Sequence, residues 1–481
     1  MGKYFVTTSI PYVNAEPHIG FAMELLYADV LARYARSRGD DVIFSTGTDE
    51  HGSKIAESAK AKDQSPKQYT DLISARFREL TKVLDVSNNR FVRTTDEAHE
   101  ARAAEIWKRL KDDVYKGKYE GWYCVGDEAY VTDTEAKANK GVCPAHNRPY
   151  EKLIEENYFF KLSKYSDAIR QAIKDGSFKI VPETRRNEIL ALIDEGLEDI
   201  SISRPKDKIS WGIPVPADKN QVMYVWFEAL MNYITVLGYP EHDDFKQFWP
   251  ANVQIIGKDI LRFHAAIWPA MLLALGLPLP KQLYVHGFVT AEGKKMSKSL
   301  GNVINPFDAI KPYGVDAFRY YMLKHIPSYE DGDFSWERFD QAYNNELANE
   351  LGNLVQRTLA MAARFLDGRV QNVPPAEHDI SQYVIAMEEC HFDRALETVW
   401  EQIRGLNQYI DEEKPWEVAK SKDLEHLNEV IAYLVSSIRE IADLLMPFLP
   451  QSAAKISDAL SGDKLAAPTS TTLFPRQEKQ A

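Results

Sequence analysis

The N-terminal part of the chain alternates short apolar runs with longer amphipathic segments. Residues 4–9 are rich in β-branched and aromatic side chains, as in a buried strand, and residues 22–38 then carry apolar side chains at helical spacing. Residues 42–45 repeat the strand pattern. Strands that alternate with helices are typical of an α/β fold with a parallel sheet. We therefore predict that residues 1–113 form the first half of a doubly wound nucleotide-binding domain.

The alternation stops at residues 114–208 and returns at residues 209–300. The middle segment contains polar turns, short strand-like runs and pairs of Cys and His, which indicates an insertion between the two halves of the α/β domain. In the second half, strand-like runs at 253–256 and 283–289 flank a helical segment at about 260–275. Ligands of open α/β sheets bind beyond the carboxyl ends of the strands, so the functional residues are expected at that edge.

Long amphipathic helices replace the alternation in the C-terminal part. The helical spacing is clearest in three segments, which are 349–365, 395–410 and 424–444. This pattern predicts a helical bundle over residues 346–467. Residues 301–345 link the α/β domain to the bundle, and the polar residues 468–481 are expected to form a loose tail.

Length and charge limit the possible functions. With 481 residues the chain exceeds the size of one hydrophobic core, so two to four domains are expected. The hydrophobic fraction of 44% and the charged fraction of 27% are those of an ordinary globular protein. The formal net charge of −13 argues against non-specific binding of nucleic acid, and no DNA partner is expected. An RNA partner would have to meet local basic patches on this acidic protein.

The cysteine content and the apolar stretches predict a cytoplasmic protein. Three cysteines, Cys124, Cys143 and Cys390, are too few for a disulfide framework and suit a reducing compartment. The N-terminus lacks the charged segment and apolar core of a secretory signal. The longest apolar stretch, residues 265–280, is short for a membrane span and contains three prolines, so no membrane association is expected.

The segment Pro17-His18-Ile19-Gly20-Phe21 lies where the first strand gives way to the first helix. The free N–H groups and the positive dipole at a helix N-terminus favour phosphate, and His18 can add a donor. Gly20 allows the backbone to approach a nucleotide closely. This segment is therefore predicted to bind the phosphates of a nucleotide.

A second basic segment, Lys295-Met296-Ser297-Lys298-Ser299, follows the apolar run that ends at residue 289. A lysine-rich pentapeptide alone is typical of a solvated surface loop. Together with the His-Ile-Gly segment it predicts a site at which a carboxylate attacks the α-phosphate of ATP. Lys295 and Lys298 would then stabilise the charge that develops on the leaving pyrophosphate. His18, Lys295 and Lys298 are the predicted catalytic residues.

These two segments resemble the signatures of class I aminoacyl-tRNA synthetases, and most of the chain is similar to the methionyl-tRNA synthetase family. The further matches are Ile10-Pro11-Tyr12, Thr46-Gly47-Thr48-Asp49-Glu50-His51-Gly52, Tyr224-Val225-Trp226-Phe227-Glu228-Ala229-Leu230, Ile256-Gly257-Lys258-Asp259-Ile260, Phe263-His264, Asn353-Leu354-Val355-Gln356-Arg357 and Lys414-Pro415-Trp416. The resemblance implies a Rossmann-type catalytic domain with an inserted connective domain, followed by an all-α anticodon-binding domain. It also implies that ATP with Mg²⁺ activates methionine, which is then transferred to the 3′ end of tRNA(Met). A monomer is expected.

The resemblance assigns residues to each substrate. Asp49, which follows a strand-like run, would hold the amino group of methionine, although a turn aspartate that bonds its own backbone is the alternative. The residues implied around the thioether are Ile10, Tyr12, Trp226, Ala229, Leu230, Tyr233, Ile260, Phe263 and His264. The residues implied around ATP are His18, Gly20, Gly257, Asp259, Lys295, Met296, Ser297, Lys298 and Ser299. The spacing of Trp226, Ala229, Leu230 and Tyr233 places them on one helix face, which is also typical of plain core.

The helical domain carries the residues implied in anticodon binding. Asn353 and Arg357 are four residues apart, so they share one helix face, which would otherwise be an ordinary solvated face. Trp416, which follows Pro415, offers a stacking surface for an unpaired base. The resemblance implies that all three residues contact the anticodon of the tRNA.

Two features depart from the family pattern. Cys124-x-x-Asp127 and Cys143-x-x-His146 resemble the zinc knuckle of the inserted domain, but an aspartate stands where some relatives have cysteine. A harder ligand weakens a zinc site, so we predict no metal site, with structural zinc left open. Phe21 stands where the family usually has a second phosphate-binding histidine, which predicts a reduced but present rate of adenylation.

Three other functions remain open at this point. A non-catalytic tRNA-binding paralogue is suggested by Phe21 and opposed by the intact Asp49, Lys295 and Lys298. Activation of another large aliphatic amino acid would call for an editing domain, and the insertion is short for one. A small nucleotidyltransferase with a His-Ile-Gly signature would not explain the helical C-terminal domain.

Overall fold

The computed structural model describes residues 2–125, 129–131, 133–145, 147–296, 301–376, 378–462, 464–468 and 471–476. The strands are β1 (Lys3–Thr8), β2 (Asp41–Thr48), β3 (Arg90–Arg93), β4 (Val114–Cys124), β5 (Ala129–Val131), β6 (Val142–Cys143), β7 (Arg148–Pro149), β8 (Glu151–Phe160), β9 (Lys179–Val181), β10 (Ile200–Ser201), β11 (Ser203–Pro205), β12 (Pro214–Val215), β13 (Asp218–Met223), β14 (Val253–Gly257), β15 (Gln282–His286), β16 (Val289–Ala291), β17 (Lys294–Lys295) and β18 (Gly332–Phe334).

The α-helices are α1 (Ile19–Ser37), α2 (Ser53–Lys60), α3 (Pro66–Val83), α4 (Glu97–Arg109), α5 (Asp133–Ala138), α6 (Ser166–Asp175), α7 (Glu183–Glu195), α8 (Val225–Ala229), α9 (Asn232–Thr235), α10 (Asp243–Phe248), α11 (Trp268–Ala274), α12 (Pro306–Tyr313), α13 (Val315–Lys324), α14 (Trp336–Ala342), α15 (Asn353–Leu366), α16 (Ser381–Glu388), α17 (Phe392–Glu413), α18 (Pro415–Ser421), α19 (Leu424–Leu445) and α20 (Pro450–Ala459). Short 3₁₀ segments lie at Lys111–Asp113, Leu162–Tyr165 and Lys258–Ile260, and π-helical segments at Phe263–Ile267 and Tyr343–Gly352.

The chain divides into two compact units. The first unit comprises Met1–Pro17, Asp41–Thr81 and Asn88–Val285. The second unit comprises His18–Asp40, Lys82–Ser87 and His286–Ala481. Among the described residues, no helix is both long and apolar enough to cross a membrane.

The first unit is built on a sheet whose described strands follow the order β3-β2-β1-β14-β15-β9. Strand β1 pairs in parallel with both β2 and β14, so Val6 faces Phe44 on one side and Val253 on the other. On one side of β1 the chain adds β2 and then β3, and on the other side β14 is followed by β15. The direction in which strands are added therefore reverses between β1 and β14. Ligands bind at such a switch point. This topology confirms the predicted doubly wound α/β fold.

Strand β9 lies within the segment that the sequence pattern assigns to the insertion, but it belongs to the main sheet. It pairs in parallel with β15, with Ile180 facing Leu283. The three-residue run Lys-Ile-Val is too short to show a strand period, which explains why the pattern does not reveal it. Residues 179–181 therefore complete the α/β sheet.

The inserted segment forms its own antiparallel sheet, with the order β10-β8-β4-β5 among the described strands. Its centre is a long pairing of β4 with β8, from Val114 opposite Phe160 to Tyr123 opposite Glu151. A small apolar cluster lies at the end of this sheet and contains Cys124, Val131, Ala136, Cys143 and Tyr150. The insertion thus has a small core that is separate from that of the main sheet.

The second unit combines α1 with a small sheet, β17-β16-β18, and the helices of the C-terminal part. The three long helices predicted there are confirmed as α15, α17 and α19, although π-helical backbone at 343–352 precedes α15. Their buried residues recur at helical spacing, as in α19 with Leu427, Val430, Ile431, Leu434, Val435, Ile438 and Ile441. The predicted helical bundle is therefore present.

A fully buried ion pair ties α1 to the helical part of the same unit. Arg319 on α13 lies 2.7 Å from Asp29 on α1, and neither side chain is exposed. The Arg319 guanidinium also donates to the carbonyl oxygens of Leu84, Pro447 and Phe448 at 2.6–3.1 Å. These bonds satisfy the buried charge of Arg319. Removal of Arg319 or Asp29 would leave the charge of the other residue buried without its ion-pair partner, which would strongly destabilise the unit.

Candidate active site

Asp49 is held at the carboxyl end of β2 by backbone pairing. The segment after β1 forms an isolated parallel bridge to it, with Tyr12 opposite Asp49. The Asp49 N–H donates to the Pro11 carbonyl at 2.9 Å, and the Val13 N–H donates to the Asp49 carbonyl at 3.1 Å. The Asp49 side chain is only 3% exposed. Tyr12, Ile10 and Asp49, predicted to contact one ligand, thus lie on neighbouring strand ends.

An aromatic wall lies in the same unit. The Trp226 ring stacks on Phe263 with a centroid distance of 4.0 Å and an interplanar angle of 14°. The Tyr233 hydroxyl lies 2.7 Å from His264 Nε2, and His264 Nδ1 lies 3.0 Å from the Ile260 carbonyl. A carbonyl can only accept, so Nδ1 carries the proton and Nε2 accepts from Tyr233. Both ring nitrogens of His264 therefore have a hydrogen-bond partner when the ring is neutral.

The stripe at 226–233 differs from a continuous helix. Helix α8 ends at Ala229 and α9 begins at Asn232, with a turn at Leu230 and Met231. Leu230 and Tyr233 belong to the hydrophobic core of the unit, and Tyr12, Trp226, Ile260 and Phe263 pack against that core while staying partly exposed. The stripe is thus partly core, and Trp226 lies at the partly exposed margin of that core together with Tyr12, Ile260 and Phe263.

Gly257 and Asp259 lie at the carboxyl end of β14, beside β1. Gly257 is the last residue of the strand, and Asp259 is exposed on the 3₁₀ turn that follows. The Ser9 N–H donates to the Ile255 carbonyl at 2.9 Å, which joins the ends of the two strands. Both predicted ATP-binding residues therefore stand at the switch point of the sheet.

A buried charged cluster in this unit was missed by the sequence analysis. The Glu228 carboxylate lies 2.8 Å from His51 Nδ1 and 3.0 Å from His99 Nε2, and Glu228 is fully buried. Burial lowers the pKa of His51, but the carboxylates of Glu228, Glu100 and Asp49 together outweigh this effect and raise the pKa to about 10, with Glu228 contributing most. His51 is therefore an imidazolium at neutral pH.

The His51–Glu228 pair makes the stability of the protein depend on pH. A histidine whose pKa is raised on folding stabilises the fold fully below its unfolded pKa, near 6.5, and loses this contribution as the pH rises towards about 10. We expect the thermal unfolding midpoint to fall between pH 7 and pH 10, and to fall less in His51→Gln. Calorimetry across this range tests the expectation, and equal slopes for the two proteins would contradict it.

His18 caps the N-terminus of α1 in the second unit. Its Nδ1 accepts from the Gly20 N–H at 3.1 Å, so the proton of the neutral ring is on Nε2. The side chain is exposed to solvent, yet partial desolvation by nearby protein atoms lowers its pKa. A Cβ on Gly20 would lie 2.9 Å from His18 Cε1, which explains the glycine. The imidazole is thus a neutral donor at the positive end of a helix.

The basic segment is described only in part. Lys295 ends β17, where it pairs with Thr290 of β16, and Met296 follows it. The predicted site residues Ser297, Lys298 and Ser299 lie outside the described residues. Downstream, the Ile304 carbonyl accepts from the N–H of Ile19, the first residue of α1. The segment that follows the basic loop therefore meets the start of the helix that carries His18.

The residues predicted to contact the anticodon lie close together in the second unit. Asn353 and Arg357 are one turn apart on α15, and Asn353 is exposed. The Arg357 guanidinium lies 2.6 Å from an Asp411 carboxylate oxygen and 6.0 Å from the centre of the Trp416 ring. Trp416 is 38% exposed, so its ring is accessible at the surface of the unit. An aromatic surface with an arginine beside it suits an unpaired base.

Of the four residues that resemble a zinc knuckle, only two are described. Cys124 and Cys143 are buried in the small apolar cluster of the insertion, while Asp127 and His146 lie outside the described residues. Within the part of the chain that the structure describes, no group of three or more His, Cys, Asp or Glu is arranged to hold a metal.

The doubly wound sheet, the His-Ile-Gly helix start and the basic loop define a class I aminoacyl-tRNA synthetase. The family model described as "tRNA synthetases class I (M)" matches residues 4–152 and 146–359. The family model described as "Anticodon binding domain of methionyl tRNA ligase" matches residues 372–474. The chain belongs to the methionyl-tRNA synthetase family.

Individual relatives agree with this assignment. The chain is 43% identical to a methionine–tRNA ligase of Caldanaerobacter subterraneus over 95% of this chain and 74% of that protein. It is 41% identical to a methionine–tRNA ligase of Brucella suis over 95% of this chain and 92% of that protein. The structure of a Mycobacterium tuberculosis methionyl-tRNA synthetase in complex with methionyl-adenylate superposes with a TM-score of 0.91 at 38% identity, covering 98% of this chain and 96% of that one.

Proposed function

We propose that the protein activates methionine with ATP and transfers it to the 3′ end of tRNA(Met), which is the reaction of a methionine–tRNA ligase. The observation that carries this proposal is that one chain matches both the synthetase and the anticodon-domain family models. Two features of the pocket support it. Asp49 is a buried carboxylate, and Glu228 on α8 contacts His51, so the aromatic wall and Asp49 are carried by neighbouring elements.

In the first step, an oxygen of the methionine carboxylate attacks the α-phosphorus of ATP, and the bond to the departing pyrophosphate breaks. The neutral His18 ring donates from Nε2 to a phosphate oxygen, next to the N–H groups of the first turn of α1. Lys295 and Lys298 stabilise the charge on the pyrophosphate. The ATP is bound as its Mg²⁺ complex, because Mg²⁺ is commonly held by substrate phosphates and water.

The pocket selects methionine by shape and polarizability. Asp49 accepts from the ammonium group, and the stacked rings of Trp226 and Phe263 pack against the thioether, whose sulfur interacts favourably with aromatic rings. The Tyr233–His264 hydrogen bond keeps both polar groups satisfied, so they add no cost beside an apolar side chain. A wall of this kind favours an unbranched apolar side chain.

In the second step, a ribose hydroxyl of the terminal adenosine attacks the acyl carbon of the adenylate, and AMP leaves. Asn353, Arg357 and Trp416 bind the anticodon, where hydrogen bonds read the base edges and Trp416 stacks on a base. Because the protein is acidic overall, tRNA binding depends on such local contacts rather than on net charge.

Several finer features complete the proposal. The protein acts as a cytoplasmic monomer, with no membrane or DNA partner.

A charging assay with labelled methionine, ATP and a tRNA(Met) transcript tests the proposal as a whole. We expect an alkali-labile product, and a transcript with an altered anticodon loop as control should be charged poorly. Binding of the transcript without charging would instead favour the non-catalytic paralogue.

Phe21 offers a separate test of the phosphate contacts. Its side chain is buried on α1, three residues after His18, and a phenyl ring cannot donate a hydrogen bond to the phosphates. We expect Phe21→His to raise the rate of methionine-dependent pyrophosphate exchange about tenfold, because one added donor to a charged group is worth roughly 1.5–3 kcal/mol and burial offsets part of it. Phe21→Leu is the control, and an unchanged rate in Phe21→His would show that no donor is lacking.

A further inference from the structure

Glu228 is a fully buried acidic group beside the proposed methionine pocket, as is Glu50. Glu228 is not exposed, and each of its two carboxylate oxygens meets a different histidine. The first oxygen lies 2.8 Å from His51 Nδ1, and the second lies 3.0 Å from His99 Nε2. His99 Nδ1 in turn lies 2.8 Å from the Thr235 hydroxyl of α9. A buried carboxylate with this many partners is fixed in position.

The two elements joined by Glu228 are those that carry the proposed methionine contacts. Glu228 lies on α8, two residues after Trp226 and one residue before Ala229. His51 lies two residues after Asp49, in the segment that follows β2. The contact therefore spans 177 residues of sequence and joins the aromatic wall to the strand end that presents the carboxylate.

The segment that contains Asp49 is fixed at further points. The Glu50 carboxylate is buried and accepts from the Arg93 guanidinium at 2.7 Å on both oxygens. The Trp211 indole N–H donates to the Glu50 carbonyl at 2.6 Å, and the Gly52 N–H donates to the Trp211 carbonyl at 3.0 Å. Glu50 is thus hydrogen-bonded to Arg93 of β3 and to Trp211. His51 connects the same segment to Glu228 of α8.

We propose that Glu228 is a positioning residue for methionine binding, which holds Asp49 in register with the aromatic wall through the His51 imidazolium. This inference rests on the proposed function. A buried ion pair is a weak source of net stability, since apolar residues of similar volume often replace it without loss. Its geometric effect is larger, because a charged hydrogen-bonded pair has one favoured arrangement, whereas apolar contacts tolerate displacement.

The charge on His51 is set by the groups that face it. These are Glu228 at Nδ1, Glu100 at 3.6 Å from Nε2, and Asp49. His99 also faces Glu228 from α4, and the Trp211 ring lies 5.5 Å from the His51 ring. Removal of the Glu228 charge takes away the nearest anion, so the pKa of His51 falls back towards its ordinary value, while Glu100 and Asp49 still act to raise it.

The test compares Glu228→Gln with the unaltered protein in methionine-dependent pyrophosphate exchange and in calorimetric binding of methionine. Gln keeps the size of the side chain but lacks the charge. We expect the KM and the Kd for methionine to rise about tenfold at pH 8 with kcat changed much less, since only uniform binding is lost. We expect the ratio of the KM of Glu228→Gln to the KM of the unaltered protein to become smaller as the pH is lowered from 8 to 6, because His51 then regains its proton.

Three further variants separate positioning from mere folding. His51→Gln should raise the KM for methionine to the same extent at every pH. His99→Gln, which keeps the contact between His51 and Glu228, should lower thermal stability and raise the KM for methionine much less than His51→Gln does. Glu346→Gln removes a carboxylate that lies 3.1 Å from His325 in the second unit, and it should leave both the KM and its pH profile unchanged.

The outcomes are distinct. A Glu228→Gln protein that unfolds at a lower temperature but binds methionine normally overturns the proposal, as does a KM ratio that is constant from pH 6 to pH 9. If Glu228→Gln does not fold, His51→Gln alone decides, and a normal KM in that variant overturns the proposal. Absence of methionine-dependent exchange in the unaltered protein would contradict the proposed function itself, which is a separate result.

Discussion

Replacement of Asp49 by alanine is expected to lower kcat/KM for methionine in pyrophosphate exchange by about 10²–10³-fold. Loss of one partner from a buried charged pair costs about 3–5 kcal/mol, and 1.4 kcal/mol corresponds to a factor of ten. Asp49 is 3% exposed, so water cannot replace the lost carboxylate at the ammonium group of methionine. The effect should appear in the methionine dependence, because the proposed contact is to that substrate and not to ATP.

Asp41→Ala is the matched control for this experiment. Asp41 begins the strand at whose other end Asp49 lies, and its exposed side chain makes a surface ion pair with Lys3. Surface pairs contribute about 0–1 kcal/mol, so Asp41→Ala should be close to the unaltered protein in exchange. Normal methionine kinetics in Asp49→Ala would show that Asp49 is a turn aspartate and that the ammonium group is bound elsewhere.

Replacement of Trp416 by alanine is expected to lower kcat/KM for tRNA about tenfold or more, while pyrophosphate exchange without tRNA stays unchanged. Stacking of a base on an aromatic side chain is worth about 1–3 kcal/mol. The Trp416 ring is exposed at the start of α18, and the Arg357 guanidinium is held beside it by Asp411. The variant therefore separates anticodon binding from the chemistry of activation.

Tyr433→Ala serves as the control for the Trp416 variant. Tyr433 lies on α19 of the same helical domain and is also 38% exposed, so its removal alters a similar apolar surface. Its hydroxyl lies 3.4 Å from His378 Nε2, and it has no proposed role with tRNA. Equal losses in both variants would mean that the helical domain had been perturbed generally. Unchanged charging in Trp416→Ala would contradict the proposed anticodon contact.

The sequence pattern predicts the parts of the fold that depend on local periodicity. Strands β1, β2 and β14 are short apolar runs, helix α1 and the long helices α15, α17 and α19 have apolar residues at helical spacing, and the structure contains each of these elements. The pattern fails where tertiary contacts decide the backbone. The turn at Leu230 and the short strand β9 gain their conformation from the surrounding core and from pairing with β15.

The residues of the candidate site also differ in whether the sequence alone predicts them. The predictions for His18, Asp49 and Trp226 depend on short local segments, and those for Asp49 and Trp226 rest on the resemblance to the family. The Glu228 cluster cannot be predicted from a local segment, because its contacts to His51 and His99 join residues 177 and 129 positions apart. A glutamate inside an apolar helical segment, Val225–Ala229, is the one signal that points to it, since such a group is buried only with partners.

Gly20 shows how a prediction of function and an observation of structure differ. The sequence assigns it to close approach of a nucleotide, whereas the structure gives a local reason as well. The His18 ring folds back over the first turn of α1, and a Cβ at position 20 would lie 2.9 Å from His18 Cε1, so the ring would have to shift. The glycine therefore allows His18 to cap the helix and to keep its proton on Nε2.

Amino-acid-dependent exchange of labelled pyrophosphate into ATP is the measurement that shows whether the protein activates methionine. The assay is run without tRNA, with each of the twenty amino acids in turn. We predict exchange with methionine and none above background with leucine, isoleucine or valine. Exchange with one of those amino acids instead, or with none of the twenty in protein shown to be folded, would show that the protein does not activate methionine.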